Sequence, residues 1–252
     1  MKRGLTRRVL GYGGAVAIVL LAWELGSLAI GSPALPSPVV ALAGFARLFV
    51  PELLPHLFAS AGRVLAAVAI GTVLAVPLGL VLGRTPRADA VFAPVVFLLY
   101  PVPWVVMLPV FLVLLGIGNA PKVALITVIV FFQILVTSRD AARAIPPASV
   151  LSVRSLGATR LQVFRHVVVP AALPDIFTAL RIASGTAIAV LFLSETVAGT
   201  SGLGFYIMDA WGRIAYSDMF AGILGLALLG VVLYELLEAA ERWLTPWTRV
   251  AR

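Results

Sequence analysis

The chain has 252 residues, of which 61% are hydrophobic and only 12% charged, against about 25% charged in an ordinary soluble domain. It contains no cysteine, which excludes disulfides, thiolate metal sites and cysteine nucleophiles. The formal net charge of +8 does not point to nucleic acid, because the basic residues are scattered through connectors between apolar runs and form no continuous basic face.

A hydrocarbon core about 30 Å thick needs roughly 20 apolar residues per helix. Six stretches meet that length, near residues 9–30, 63–83, 90–116, 121–138, 176–198 and 219–238. The expectation is one all-α, multi-pass membrane domain covering residues 1–252. The first stretch also has features of a signal peptide, with a basic start and a Thr6-Arg7-Arg8 segment hinting at twin-arginine export. Its apolar run is longer than the 7–15 residues usual for a signal peptide, and five further spans follow, so it is expected to stay as a span.

With the amino terminus inside, the inner connectors hold fourteen of the 19 basic residues: Lys2, Arg3, Arg7, Arg8, Arg84, Arg87, Arg139, Arg143, Arg154, Arg160, Arg165, Arg242, Arg249 and Arg252. The outer connectors hold Arg47, Arg63, Lys122 and Arg213, and Arg181 is left inside the fifth span. This asymmetry obeys the positive-inside rule, so both termini are expected in the cytoplasm.

In chain order, residues 31–62 form an outer connector with several prolines and a short amphipathic piece between Val39 and Val50. Glu24, near the outer end of the first span, is read as reaching headgroup water. In the third span Pro101, Pro103 and Pro109 interrupt helical hydrogen bonding. Two outcomes stay open: a kink packed on its neighbours, or a broken helix lining a cavity, with Tyr100 and Trp104 facing a solute pathway. Gln133, alone in the fourth span, is expected to make an interhelical hydrogen bond.

Residues 139–175 are the one long inner connector. From Ala148 it reads as two short helices broken at Gly157, where glycine supplies the freedom a tight turn needs. Pro170 and Pro174 are expected to stop the second helix. Leu161, Phe164 and Val168 fall on one apolar face of it, while Arg160 and Arg165 point elsewhere. Such a pair is too short to fold alone. It lies either on the membrane surface, with its arginines at anionic headgroups, or against its own spans, or on a cytoplasmic partner.

In the fifth span Arg181 is expected to snorkel to the inner surface. Near its outer end Ser194, Glu195 and Thr196 either line a pathway or make structural hydrogen bonds. Residues 199–218, "GTSGLGFYIMDAWGRIAYSD", suit a re-entrant or interfacial segment. Glu235 and Glu238, at the inner end of the sixth span, look solvated.

The connector from Leu151 resembles the Glu-Ala-Ala loop of ABC importer inner-membrane permeases: Glu-Ala-Ala, three residues, Gly, nine residues, Ile, one residue, Leu-Pro. With Gly157 at the family glycine, Val167, Val169 and Pro170 take the Ile, Leu and Pro places without a gap. Leu151, Ser152 and Val153 take the Glu-Ala-Ala places, so the acidic residue is absent. "LPSPVVAL", "HLFASAGRVLAAVAIG", "YPVPWVVMLPVFLVLLGIGNAPK" and "LRIASGTAIAVLFLSETVAGTSGLGFYI" resemble the branch that carries nitrate, sulfonates, taurine and related small solutes, a pyrimidine precursor among them.

The resemblance implies a MetI-like permease fold and a transport subunit with no catalytic centre of its own. It implies a second permease copy, a pair of cytoplasmic ATPases that bind ATP and Mg, and an external solute-binding protein. It further implies that residues Arg154, Ser155, Leu156, Gly157, Ala158, Thr159, Arg160, Leu161, Phe164 and Pro170 form the segment seated on the ATPase. Leu156, Leu161 and Phe164 would fill its groove, and Arg154 and Arg160 would meet its polar rim. A bacterial plasma membrane is the implied location.

Three other functions have residue requirements of their own. Lys2 and Lys122 are the only lysines and neither stands in a G-x-x-x-x-G-K-[ST] loop, so ATP must be hydrolysed elsewhere. An ion-coupled carrier would show internal repeats and ionisable groups at the midplane, and this chain has few such groups and no clear repeat. An intramembrane zinc protease needs His-Glu-x-x-His spacing, whereas His56 and His166 fall on opposite sides. Asp89, Asp140, Asp175, Asp209 and Asp218 all fall in connectors, which leaves no aspartyl pair within a span.

Overall fold

The computed structural model describes residues 2–249, with side chains from residue 13 onward apart from those of 198 and 249. Arg252, and the side chains of Lys2, Arg3, Arg7, Arg8 and Arg249, lie outside the described residues. The order is α1 (Lys2–Ile30), α2 (Pro38–Leu48), α3 (Leu54–Arg84), α4 (Pro86–Leu99), α5 (Leu108–Leu115), α6 (Asn119–Ala144), α7 (Pro147–Ser155), α8 (Arg160–Val163), α9 (Val169–Ala198), α10 (Leu203–Gly212) and α11 (Tyr216–Leu244). No strand occurs among the described residues. Five helical runs are long and apolar enough to cross a membrane, and α4 with the Trp104–Leu115 helix makes a sixth span bent by 76°.

The centre is α3, α6 and α9, with α3 against α6 the most extensive pairing. The reason is written into α3. Ala67, Gly71, Ala75, Gly79 and Gly83 recur every fourth residue, so they share one helix face. A side chain at Gly79 would strike the backbone of Leu135 and the side chain of Ser138 on α6. Lipid supplies no hydrophobic drive between helices, so close backbone approach and van der Waals packing hold this pair. By contrast, α1 buries little; Trp23 Nε1 donates to the Pro36 carbonyl at 3.0 Å and its ring stacks on Phe220.

The starts of the second and fifth spans depart from expectation for one physical reason. The short helix α2 runs through a π turn, Phe49–Leu53, straight into α3, and α8 runs through a π turn, Phe164–Val168, straight into α9. A proline follows each turn one residue later, Pro55 and Pro170. Its ring would collide with the carbonyl four residues back. The wider turn moves that carbonyl aside, and the bonds Leu54 N–H to Phe49 O and Val169 N–H to Phe164 O close it. Pro170 therefore does not end the helix, and Pro174 lies inside it; residues 160–197 form one rod of 38 residues, about 57 Å at 1.5 Å per residue.

Two further corrections follow from the longer helices. Arg63 and Lys122 were expected in outer connectors, yet both lie inside helices and are buried. Asp89, Asp140, Asp175, Asp209 and Asp218, expected in connectors, all lie in helices, Asp175 well inside the run from 160 to 197. The third span is broken, with Trp104–Met107 a 3₁₀ turn between α4 and α5.

Candidate functional site

The end of the molecule bearing the Ser201-Gly202-Leu203-Gly204 segment is held by charges that no solvent reaches. Glu195 on α9 is 0% exposed, Ser60 likewise, and Arg63 5%. His56, Ser60 and Arg63 stand at i, i+4 and i+7 on α3, one face of the helix. That face meets the amino terminus of α10. Three successive backbone N–H groups there find side-chain acceptors: Gly202 on His56 Nδ1 at 3.0 Å, Leu203 on Ser60 Oγ at 2.8 Å and Gly204 on Glu195 Oε2 at 2.9 Å. These groups have no partner within their own helix, and the helix dipole favours the carboxylate placed beside them.

Arg63 completes the network. It pairs with Glu195, donates to the Ser201 carbonyl at 2.8 Å and Oγ at 2.7 Å, and reaches Asn119 Oδ1 at 2.8 Å. Ser60 Oγ donates to the Glu195 carboxylate at 2.9 Å. Gly202 has φ +108, and a Cβ there would land on that carboxylate; only glycine fits. Lys122, buried in the first turn of α6, adds a second positive charge to the neighbourhood of Glu195. Beside the network, Tyr206 donates to Glu52 at 3.1 Å. Burial, reinforced by Glu52, pushes the Tyr206 phenol far above its usual range, so it stays a neutral donor.

Of the residues expected to line a pathway, Ser194 and Glu195 are fully buried. Ser194 Oγ donates to Leu191 O, and Thr196, half-exposed, to Leu193 O. Tyr100 and Trp104 do line a cavity. It measures about 300 Å³, sits at the break of the third span, and is closed by Phe132, Gln133 and Thr186. Trp104 stacks on Phe132 with centroids 5.8 Å apart. Gln133 Nε2 donates to Thr186 at 3.3 Å, the interhelical bond expected, while its Oε1 is buried without a partner.

The opposite, basic end carries the segment singled out by its spacing. Helix α7 ends at Ser155, whose Oγ donates to Ser152 O. Gly157 has φ +85 with open space around it, so the glycine is required by the turn and not by crowding. Thr159 then caps α8 in a reciprocal box with Gln162. Leu156 is 87% and Leu161 75% exposed, while Ala158 is half-buried. Phe164, partly buried, packs against the core on the same face as Val168. Leu161 is left outside that face.

Several groups escaped sequence reasoning. Arg139, buried on α6, binds Asp89 on α4 through two nitrogens, Asp140 at 2.9 Å, and the face of Phe97 at 5.4 Å. Arg181 does not simply snorkel; it pairs with Glu241 of α11 and reaches Thr178 at 3.0 Å. Glu235 is exposed, whereas Glu238 lies 3.7 Å from Arg242. The His56, Ser60, Arg63 stripe was the available clue, a polar face in an apolar run.

A helical bundle with one broken span, a cavity at the break and an exposed apolar turn at its basic end has the architecture of a membrane transport subunit. Residues 75–250 match the family described as "Binding-protein-dependent transport system inner membrane component", and the chain belongs to that family of ABC importer permeases. It is 32% identical over 242 residues to the taurine transport system permease protein of Escherichia coli, covering 93% of this chain and 88% of that one. A putative aliphatic sulfonates transport permease of Bacillus subtilis is 29% identical, over 92% of this chain and 85% of its own. A solved inward-facing structure of the MetNI methionine ABC transporter shares the fold, with a TM-score of 0.65 at 22% identity over 77% of this chain and 96% of that one. The chain is thus a multi-pass inner-membrane transport subunit of an ATP-driven importer, not an ion-coupled carrier, and ATP hydrolysis belongs to a partner subunit.

Proposed function

We propose that this permease works as one transmembrane domain of a homodimer, with residues 139–175 as its coupling segment and both termini in the cytoplasm. It carries a small sulfonate-type anion brought by an external binding protein, driven by two ATPases that use ATP with Mg. One observation carries the reading: the rod of residues 160–197 joins the exposed turn at one end to the Glu195 network at the other. A push on Leu156 and Leu161 by an ATPase groove is transmitted along α9 to the contacts that hold the Gly202 segment. Bistable packing then converts it into alternating access.

Within that cycle Gly157 sets the turn, Thr159 caps the helix, Ser155 meets the groove's polar edge, and Arg154 and Arg160 flank the turn. Ala158 closes the turn and Pro170 lies where the segment joins α9. Tyr100, Trp104 and Gln133 would contact the solute in the 300 Å³ cavity. Ser194, Glu195 and Thr196 stand at the outer mouth. Relatives named for taurine and aliphatic sulfonates support this solute class; nitrate and pyrimidine precursors belong in the same ligand screen.

The test is ATP-dependent uptake by proteoliposomes containing the chain, its ATPase and its binding protein. Leu156→Asp and Gly157→Trp are expected to abolish uptake while the permease still folds. Unchanged uptake in both would overturn the coupling role, and uptake driven by an ion gradient without ATP would overturn the whole reading.

A further inference from the structure

Beside the coupling turn, and distinct from its apolar tip, lies a cleft of about 550 Å³. Its rim holds four arginines: Arg84 at the end of α3, Arg87 at the start of α4, Arg154 on α7 and Arg160 on α8; Val163 and Phe164 form part of its floor. Leu151, Leu156 and Leu161 do not line it. None of the four arginines has an ion pair among the described residues; Arg84 only donates to the Ala142 carbonyl at 3.3 Å. The nearby acids are already taken, Asp89 by Arg139 and Arg143, and Asp140 by Arg139. Four guanidiniums converging on one concave, partly apolar space repel one another unless an anion sits among them.

The position specifies the anion. Arg87 begins a stripe on α4 that continues through Val91, Val95 and Leu98, one helix face. All three apolar residues are exposed, Leu98 at 73%. A phosphate in the cleft would therefore have an uninterrupted apolar track running from it along a membrane helix. Guanidinium binds phosphate by paired hydrogen bonds, and the track suits acyl chains. A carboxylate from a docked protein would use the arginines and leave the stripe bare. We infer that the cleft between the α3–α4 turn and the α7–α8 turn binds the phosphate of an anionic phospholipid, whose chains lie along α4.

The test uses the full chain, without ATPase, in bilayers of equal parts phosphatidylglycerol and phosphatidylcholine, with co-purified lipid counted by native mass spectrometry. The wild type is expected to retain phosphatidylglycerol over phosphatidylcholine. Arg87→Gln and Arg154→Gln should each lower that preference about fivefold. Arg87→Lys should keep most of it, and Arg213→Gln at the far end should change nothing. Either glutamine variant suffices if the other does not fold. No preference in the wild type, or the same preference in both variants, overturns the inference. Displacement by added inorganic phosphate would assign the cleft to a soluble ion, and complete stripping by the ATPase would assign it to docking; both outcomes also overturn it. Because no ATPase or solute is needed for the lipid count, its failure leaves the transport reading standing.

Discussion

The two ends of this molecule treat arginine in opposite ways. At the Gly202 end one arginine, Arg63, is buried, and its contacts run to Glu195, Ser201 and Asn119. At the basic end four arginines face one open cleft with no carboxylate in reach. The first arrangement is complete within the chain and fixes a helix terminus. The second is unfinished and asks for something from outside. A buried charge that is fully partnered belongs to architecture; exposed charges that converge unpaired belong to recognition.

That contrast breaks most sharply at Glu195. Glu195→Ala leaves Arg63 buried and unpaired, so a loss of about 3–5 kcal/mol is expected, read as a lowered unfolding midpoint in detergent. Gly202→Ala should lose about 2 kcal/mol, since its φ of +108 disfavours any side chain and a Cβ meets the carboxylate. Replacing both partners, Arg63→Met with Glu195→Leu, should cost clearly less than the two single changes summed. A double-mutant cycle checks this, and strict additivity would show that the pair is not coupled. At the basic end Arg160→Gln should move stability by no more than about 0.5 kcal/mol, while changing lipid retention. A large loss of stability there would erase the distinction between the two ends.

Sequence made the spans, the basic end and the Gly157 turn legible, because apolar length, arginine placement and a glycine at a break are local features. The Glu195 network was not, since His56, Ser60 and Arg63 acquire meaning only when α10 is docked on them. Arg63 looked like a topological charge because the second span was taken to begin there, whereas α3 starts nine residues earlier. The proline at 170 misled for a different reason. A proline stops a regular α-helix, but one wide turn ahead of it removes the collision, and nothing in the local pattern announces that turn.

The uninterrupted helix from Arg160 to Val197 has phase as well as length. Each residue advances a helix by about 100°, so deleting or inserting a single residue between Val169 and Glu195 would swing the carboxylate a quarter-turn off Ser60 and the Gly204 amide, while barely altering the distance spanned. Loops elsewhere in the chain can absorb such a change. This stretch cannot, and a one-residue insertion at Gly185, far from either end's chemistry, is expected to be as damaging as removing Glu195 itself.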